Sequence, residues 1–130
     1  MKIPARGLSL IELIAVIAAI GTTSAVVLPE SAVFQVAAES AALASLAGAA
    51  SAAMAINQAG CQVSGQRAVP DQCTPISNCA QVGALLLVEL PAAYRVDDLP
   101  LGGNGRSASC RLTQLDNGAV ASFTGIAAGH

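Results

Sequence analysis

Gly7-Leu8-Ser9-Leu10-Ile11-Glu12-Leu13-Ile14-Ala15-Val16-Ile17-Ala18-Ala19-Ile20-Gly21, running on through Thr22 to Leu28-Pro29, is the stretch that decides this chain. From Leu8 to Leu28 there are 21 consecutive residues with a single charge, Glu12, while Lys2 and Arg6 stand ahead of them. The length matches a bilayer span of about 20 residues, and the two cations would hold its start on the cytoplasmic side. Glu12 is the anomaly. A carboxylate at the centre of a hydrocarbon-spanning helix costs roughly 2.5 to 3.5 kcal/mol on insertion scales and less near its end, so an intramembrane acid implies a partner charge or a function.

Three kinds of export segment compete: a cleaved secretory signal, a permanent anchor, and a leader from which only the residues before the apolar run are removed. A secretory signal needs an uninterrupted apolar core of about 7 to 15 residues before a site of small residues, for which Thr23-Ser24-Ala25 would serve. Glu12 helps no such signal. The remaining composition agrees that the chain leaves the cytoplasm. Of 130 residues 54% are hydrophobic and 11% charged, against about 25% charged in ordinary globular domains. Without Lys2 and Arg6 the rest carries 4 Arg against 8 acids, which leaves no basic surface for nucleic acid. Four Cys at positions 61, 73, 79 and 110 form no C-x-x-C pair and so fit neither a zinc ribbon nor a redox site; they read as two disulfides in an oxidising compartment.

The run Gly7-Leu8-Ser9-Leu10-Ile11-Glu12, the apolar residues after it, Gly21 and Leu28-Pro29 together resemble the N-terminus of type IV pilins and type II secretion pseudopilins. The resemblance covers about the first 30 residues. It implies that a prepilin peptidase cuts after Gly7 and that Leu8 becomes the N-methylated mature N-terminus, where the family most often has Phe. It also makes Glu12, Gly21 and Pro29 the assembly residues, with the subunit inserted in the inner membrane, contacting lipid and the assembly machinery, and then drawn into a helical filament of many copies. A second, looser resemblance, to pilins of the mannose-sensitive haemagglutinin type, rests on Ile56-Asn57-Gln58-Ala59-Gly60-Cys61, Asn78-Cys79 and Phe123-Thr124-Gly125-Ile126.

The chemistry fits that role. An amine at Leu8 would be a cation stranded on an apolar helix, and a neighbouring copy's Glu12 would neutralise it. Removing one partner of such a buried pair costs about 3 to 5 kcal/mol, so the pair specifies register between subunits even where its net stability is small. Pro29 lacks an N–H, and Gly21, Thr22 and Thr23 are weak helix formers, so a kink or a local melting between Gly21 and Pro29 is expected.

After Pro29, Ser31 to Asn57 is Ala-rich with Glu39 as its one charge, and Val36, Leu43, Leu46, Ala50 and Met54 fall 7, 3, 4 and 4 apart, on one helical face. This predicts an amphipathic stalk helix rather than a second membrane span, ended by Asn57, Gly60 and Cys61. Residues 62 to 76 read as a loop. Ser77 or Asn78 should cap a short helix through about Glu89, stopped by Pro91. Tyr94-Arg95-Val96 reads as a short strand. Ser107 to Leu115 and Ala119 to Ile126 read as a hairpin turned by Asp116-Asn117-Gly118, with Cys110 and Leu112 sharing one face and Ala121 and Phe123 another.

The expected architecture is therefore α+β, a long N-terminal helix with a protruding hydrophobic half, packed on a small antiparallel sheet. It divides into a leader over 1–7, a membrane or filament-core helix over 8–29, the amphipathic half of the stalk over 30–58 and a disulfide-stapled head over 59–130. Four Cys allow three pairings; the favoured one joins Cys61 to Cys73 and Cys79 to Cys110. Catalysis has little to stand on, since the single His is His130 and no nucleophile elbow is present. No cofactor is expected. A calcium site from Asp97, Asp98 and Asn104 is the one metal reading considered.

The expected function is a structural subunit of a surface filament serving adhesion or motility. The alternative within the family is a periplasmic secretion pseudopilin. From another class, a small secreted binding module with an ordinary signal peptide would start near Val26 and lack Glu12.

Overall fold

The computed structural model describes residues 31–130, together with Ala15 as a helical residue. The leader and the helix half that holds Gly7, Leu8, Glu12, Gly21 and Pro29 lie outside the described residues. The described elements are helix α1 (Ser31–Val63), a 3-10 helix (Cys79–Leu85), and strands β1 (Tyr94–Val96), β2 (Ser107–Gln114) and β3 (Val120–Ile126). This is the α+β arrangement, a long helix with a three-stranded antiparallel sheet. The chain divides into two compact units, Met1–Ala38 and Glu39–His130, so the second unit takes in most of α1 with all of the sheet.

Alanine dominates α1 because it pays no side-chain entropy in a helix. The helix contributes Leu43, Ala47, Ala50 and Met54 to a core completed by Ile76, Val82, Leu101, Leu112, Phe123 and the Cys79–Cys110 pair. The buried positions step 4, 3 and 4, then continue through Asn57 and Cys61. The face expected from the sequence is thus partly corrected. Leu43, Ala50 and Met54 are buried, Leu46 is half-buried, Val36 is exposed, and Ala47 takes the place given to Leu46.

The helix end also differs. α1 does not stop at Asn57, Gly60 and Cys61 but runs to Val63. Gly60 lies inside it because a Cβ there would meet the Gln72 backbone oxygen at 2.0 Å. The glycine makes room for the following loop to cross the helix, a tertiary use that propensity cannot signal. Termination falls to Gly65 and Gln66, both in the left-handed region at φ 65° and 62°, with the Gln66 N–H returning to the Cys61 carbonyl at 2.6 Å.

Asn78 caps the next helix as expected: its side chain accepts from the Ala80 N–H at 2.9 Å and Gln81 reaches back to the Asn78 N–H at 3.0 Å. The element is a 3-10 helix ending at Leu85, not a helix to Glu89. Its buried anchors are Cys79 and Val82, one 3-10 turn apart. Leu87 and Val88 stand exposed instead.

The sheet order is β1-β2-β3, with Tyr94 opposite Gln114 and Cys110 opposite Phe123. β1 spans the residues read from sequence, and each hairpin strand is one residue shorter at the turn. Gly118 supplies the φ of 70° that the turn demands. Cys110, Leu112 and Phe123 face the core, while Ala121 is only half-buried. The Thr124 N–H of β3 donates to the Ser51 hydroxyl of α1 at 2.9 Å, tying the sheet's outer edge to the helix.

Candidate assembly surface

Two disulfides shape the head. Cys61 joins Cys73 across 12 residues and Cys79 joins Cys110 across 31, the pairing the sequence reading favoured. The first fastens the loop after α1 to the last turns of that helix. Asn57 reinforces it: buried one turn earlier, it donates to the Thr74 carbonyl and accepts from the Thr74 N–H, both at 2.8 Å. Sequence reading cast Asn57 as a helix stop, whereas its amide supplies both missing backbone partners of a crossing loop, as an Asn side chain is equipped to do.

The second disulfide pins the 3-10 helix to β2 in the middle of the core, where Cys79 and Cys110 are both fully buried. Gly125 on β3 lies directly over it: a Cβ would meet the Cys110 sulfur at 2.3 Å and Leu101 Cδ2 at 3.1 Å. All four Cys are thus consumed in bonds and none is free among the described residues.

The residues weighed as a calcium site each contact another neighbour. Asp97 faces Arg111 at 3.9 Å, Asp98 accepts from the Asn78 side chain, and Asn104 brackets the backbone of His130 on both sides. Each is already committed to a different neighbour. Among the described residues no cluster of three or more His, Cys, Asp or Glu is placed to hold a metal ion. His130 directs one ring nitrogen to the Ala128 carbonyl and the other to the Gly102 carbonyl.

What the fold leaves open is apolar. Beside the face of α1 that the head covers lies a second seam, Leu46, Ala49, Ala53 and Ile56, stepping 3, 4 and 3. It lines a groove of about 720 Å³ together with Leu85 to Val88, Asp71 and Thr74. Asp71 is the one charged group in the lining. The sequence reading placed Leu46 on the core face and read Leu85 to Val88 as helix, so neither side of the groove was expected.

α1 is also the one described helix long and apolar enough, by length and composition, to cross a membrane. Its Leu43, Ala47, Ala50 and Met54, however, are packed into the head.

No protein-family model, no curated protein and no solved structure matches this chain. A long apolar helix with a small antiparallel sheet is compatible with a pilin-like fold, and that is as far as the architecture goes.

Proposed function

We propose that the chain is a structural subunit of a type IV pilus-like filament. It is trimmed after Gly7, methylated at Leu8, held in the inner membrane by the apolar run, and then assembled outside the cytoplasm as one of many copies. The observation that carries this reading is Glu12, a carboxylate five residues past Gly7 in a stretch otherwise free of charge as far as Leu28. An acid so placed is costly in lipid and becomes useful when a second copy presents a cation to it. The helix-and-sheet architecture and two buried disulfides support the reading, the latter because such bonds persist in oxidising compartments.

Mass spectrometry of the purified mature N-terminus tests it together with electron microscopy of sheared cells. The expected protein begins at Leu8 with one added methyl group, and fibres are present. Glu12→Ala should leave cleavage and both disulfides intact while removing the fibres. A mature chain starting near Val26, or normal fibres from the variant, would overturn the proposal.

A further inference from the structure

We propose that Asn104–Gly105 is a covalent modification site, closed by residues 127–130 and opened when Cys61–Cys73 is broken, at which the Asn104 carboxamide cyclises onto the Gly105 nitrogen and is hydrolysed to aspartate or isoaspartate. The chain has two Asn-Gly pairs, Asn104–Gly105 and Asn117–Gly118, and all four residues are exposed to water. Glycine has no side chain to obstruct attack by its nitrogen on the preceding carboxamide, so both pairs are reactive when the chain is open. The reaction begins with loss of the glycine amide proton, as base-catalysed hydrogen exchange does, so a hydrogen-bonded N–H must first open.

The fold closes the two pairs by different means. The Gly118 N–H donates to the Gln114 carbonyl at 2.9 Å and the Asn117 carboxamide accepts from the Ala119 N–H at 2.9 Å, all within the hairpin turn. The Gly105 N–H donates instead to the Ala127 carbonyl at 2.8 Å. The Asn104 carboxamide accepts from the His130 N–H at 3.2 Å and donates to the His130 carbonyl, 26 residues away in sequence. One lock is local and the other belongs to a separate segment.

That segment is seated on the first disulfide. Ala128 is fully buried in a cluster with Cys61 and Cys73, and it exchanges backbone hydrogen bonds with Ile76 at 2.8 and 2.9 Å. The Gly129 N–H donates at 2.8 Å to Gln66 Oε1, inside the loop that Cys61–Cys73 closes, and a Cβ on Gly129 would lie 3.1 Å from the Cys73 sulfur. A thiol reductant that converts this bond to two thiols, becoming a disulfide itself, frees the loop and with it the seat of residues 127–130.

The Gly105 nitrogen then bonds to Asn104 Cγ, and Nδ2 departs as ammonia carrying the Gly105 proton. Water opens the resulting cyclic imide at either carbonyl, so the net change is water taken up and ammonia released. A carboxylate at 104 has no proton to donate to the His130 carbonyl, and the isoaspartyl product reroutes the backbone through the side chain, displacing the Gly105 N–H from Ala127. Residues 127–130 cannot regain their seat, so the change is a one-way record that the disulfide was broken.

The test incubates the purified, oxidised full chain at mildly alkaline pH beside the reduced and denatured chain, and peptide mass spectrometry measures conversion at both pairs. Both should convert freely in the denatured chain and slowly in the oxidised one. Gly129→Ala, at φ 79° and pressed against Pro75 and Cys73, disturbs the segment without touching a cysteine, while Cys61→Ser with Cys73→Ser removes the bond. Each should speed conversion at Asn104 roughly ten-fold or more, as when opening becomes about 1.4 kcal/mol easier, with hydrogen exchange at Gly105 rising in step and Asn117 keeping its native rate. Conversion of Asn104 in the oxidised wild type at the denatured rate overturns the proposal, as does an unchanged rate in both variants. Acceleration by Gly129→Ala alone overturns the role of the disulfide. Equal acceleration at both pairs in both variants reports unfolding of the whole head and overturns the separate lock.

Discussion

Gly125→Ala is the most informative single substitution in the head. The added methyl would sit 2.3 Å from the Cys110 sulfur and 3.1 Å from Leu101 Cδ2, when ordinary van der Waals contact begins near 3.4 Å. About 1 Å must therefore be found between β3 and a disulfide that is itself anchored at Cys79 and Cys110 in the core. Overpacking of this kind costs about 1 to 3 kcal/mol. In a domain of this size each kcal/mol lowers the melting temperature by about 4 to 8 °C, so a drop of the order of 10 °C is expected.

Thermal and urea unfolding of the oxidised protein would measure it. A double-mutant cycle locates the cause: in a Cys79→Ala, Cys110→Ala background the obstructing sulfur is gone, and Gly125→Ala should then cost clearly less. An equal penalty in both backgrounds, or none in the oxidised protein, would refute the argument that Gly125 is a glycine because of the bond beneath it.

Two further outcomes follow from the staples and their neighbour. Reduction should destabilise the head by about 3 kcal/mol for Cys61–Cys73 and about 4 kcal/mol for Cys79–Cys110, the longer loop losing more by the chain-entropy estimate; unfolding with and without reductant measures the sum, and an unchanged midpoint would show the bonds to be dispensable. Asn57→Ala leaves the Thr74 N–H and carbonyl without their partner and should cost about 1 to 3 kcal/mol, read by denaturant titration, with hydrogen exchange rising at Thr74 rather than in the sheet.

Local signals carried far along this chain. Strand β1, the hairpin and its turn are visible in residue type because Gly118 and its neighbours encode their own geometry, and Asn78 with Gln81 encodes its own cap. Errors fell where one segment's conformation depends on another's position. Gly60 looked like a helix stop and is a crossing point. Asn57 looked like a terminator and is a clamp. Leu85 to Val88 has the composition of a continuing helix, yet the 3-10 turn ends at Leu85, which packs against the core, and Leu87 and Val88 stand exposed. Neighbours of the oxygen donors Asp97, Asp98 and Asn104 were equally invisible to residue type, since backbone pairing between residues 77–79 and 99–101 and the contact of Asn104 with His130 set them.

Residue order alone determined that a charge-poor segment with one acid heads this protein, that an Ala-rich helix follows, and that a hairpin closes it, because helix period, turn chemistry and transfer cost act over a few residues at a time. Tertiary structure decided which helical face is covered, which Cys atoms are close enough to bond, and which glycines are kept for another segment's backbone. Those depend on distances between parts of the chain far apart in sequence, set only when the core of Met54, Ile76, Leu112 and Phe123 closes.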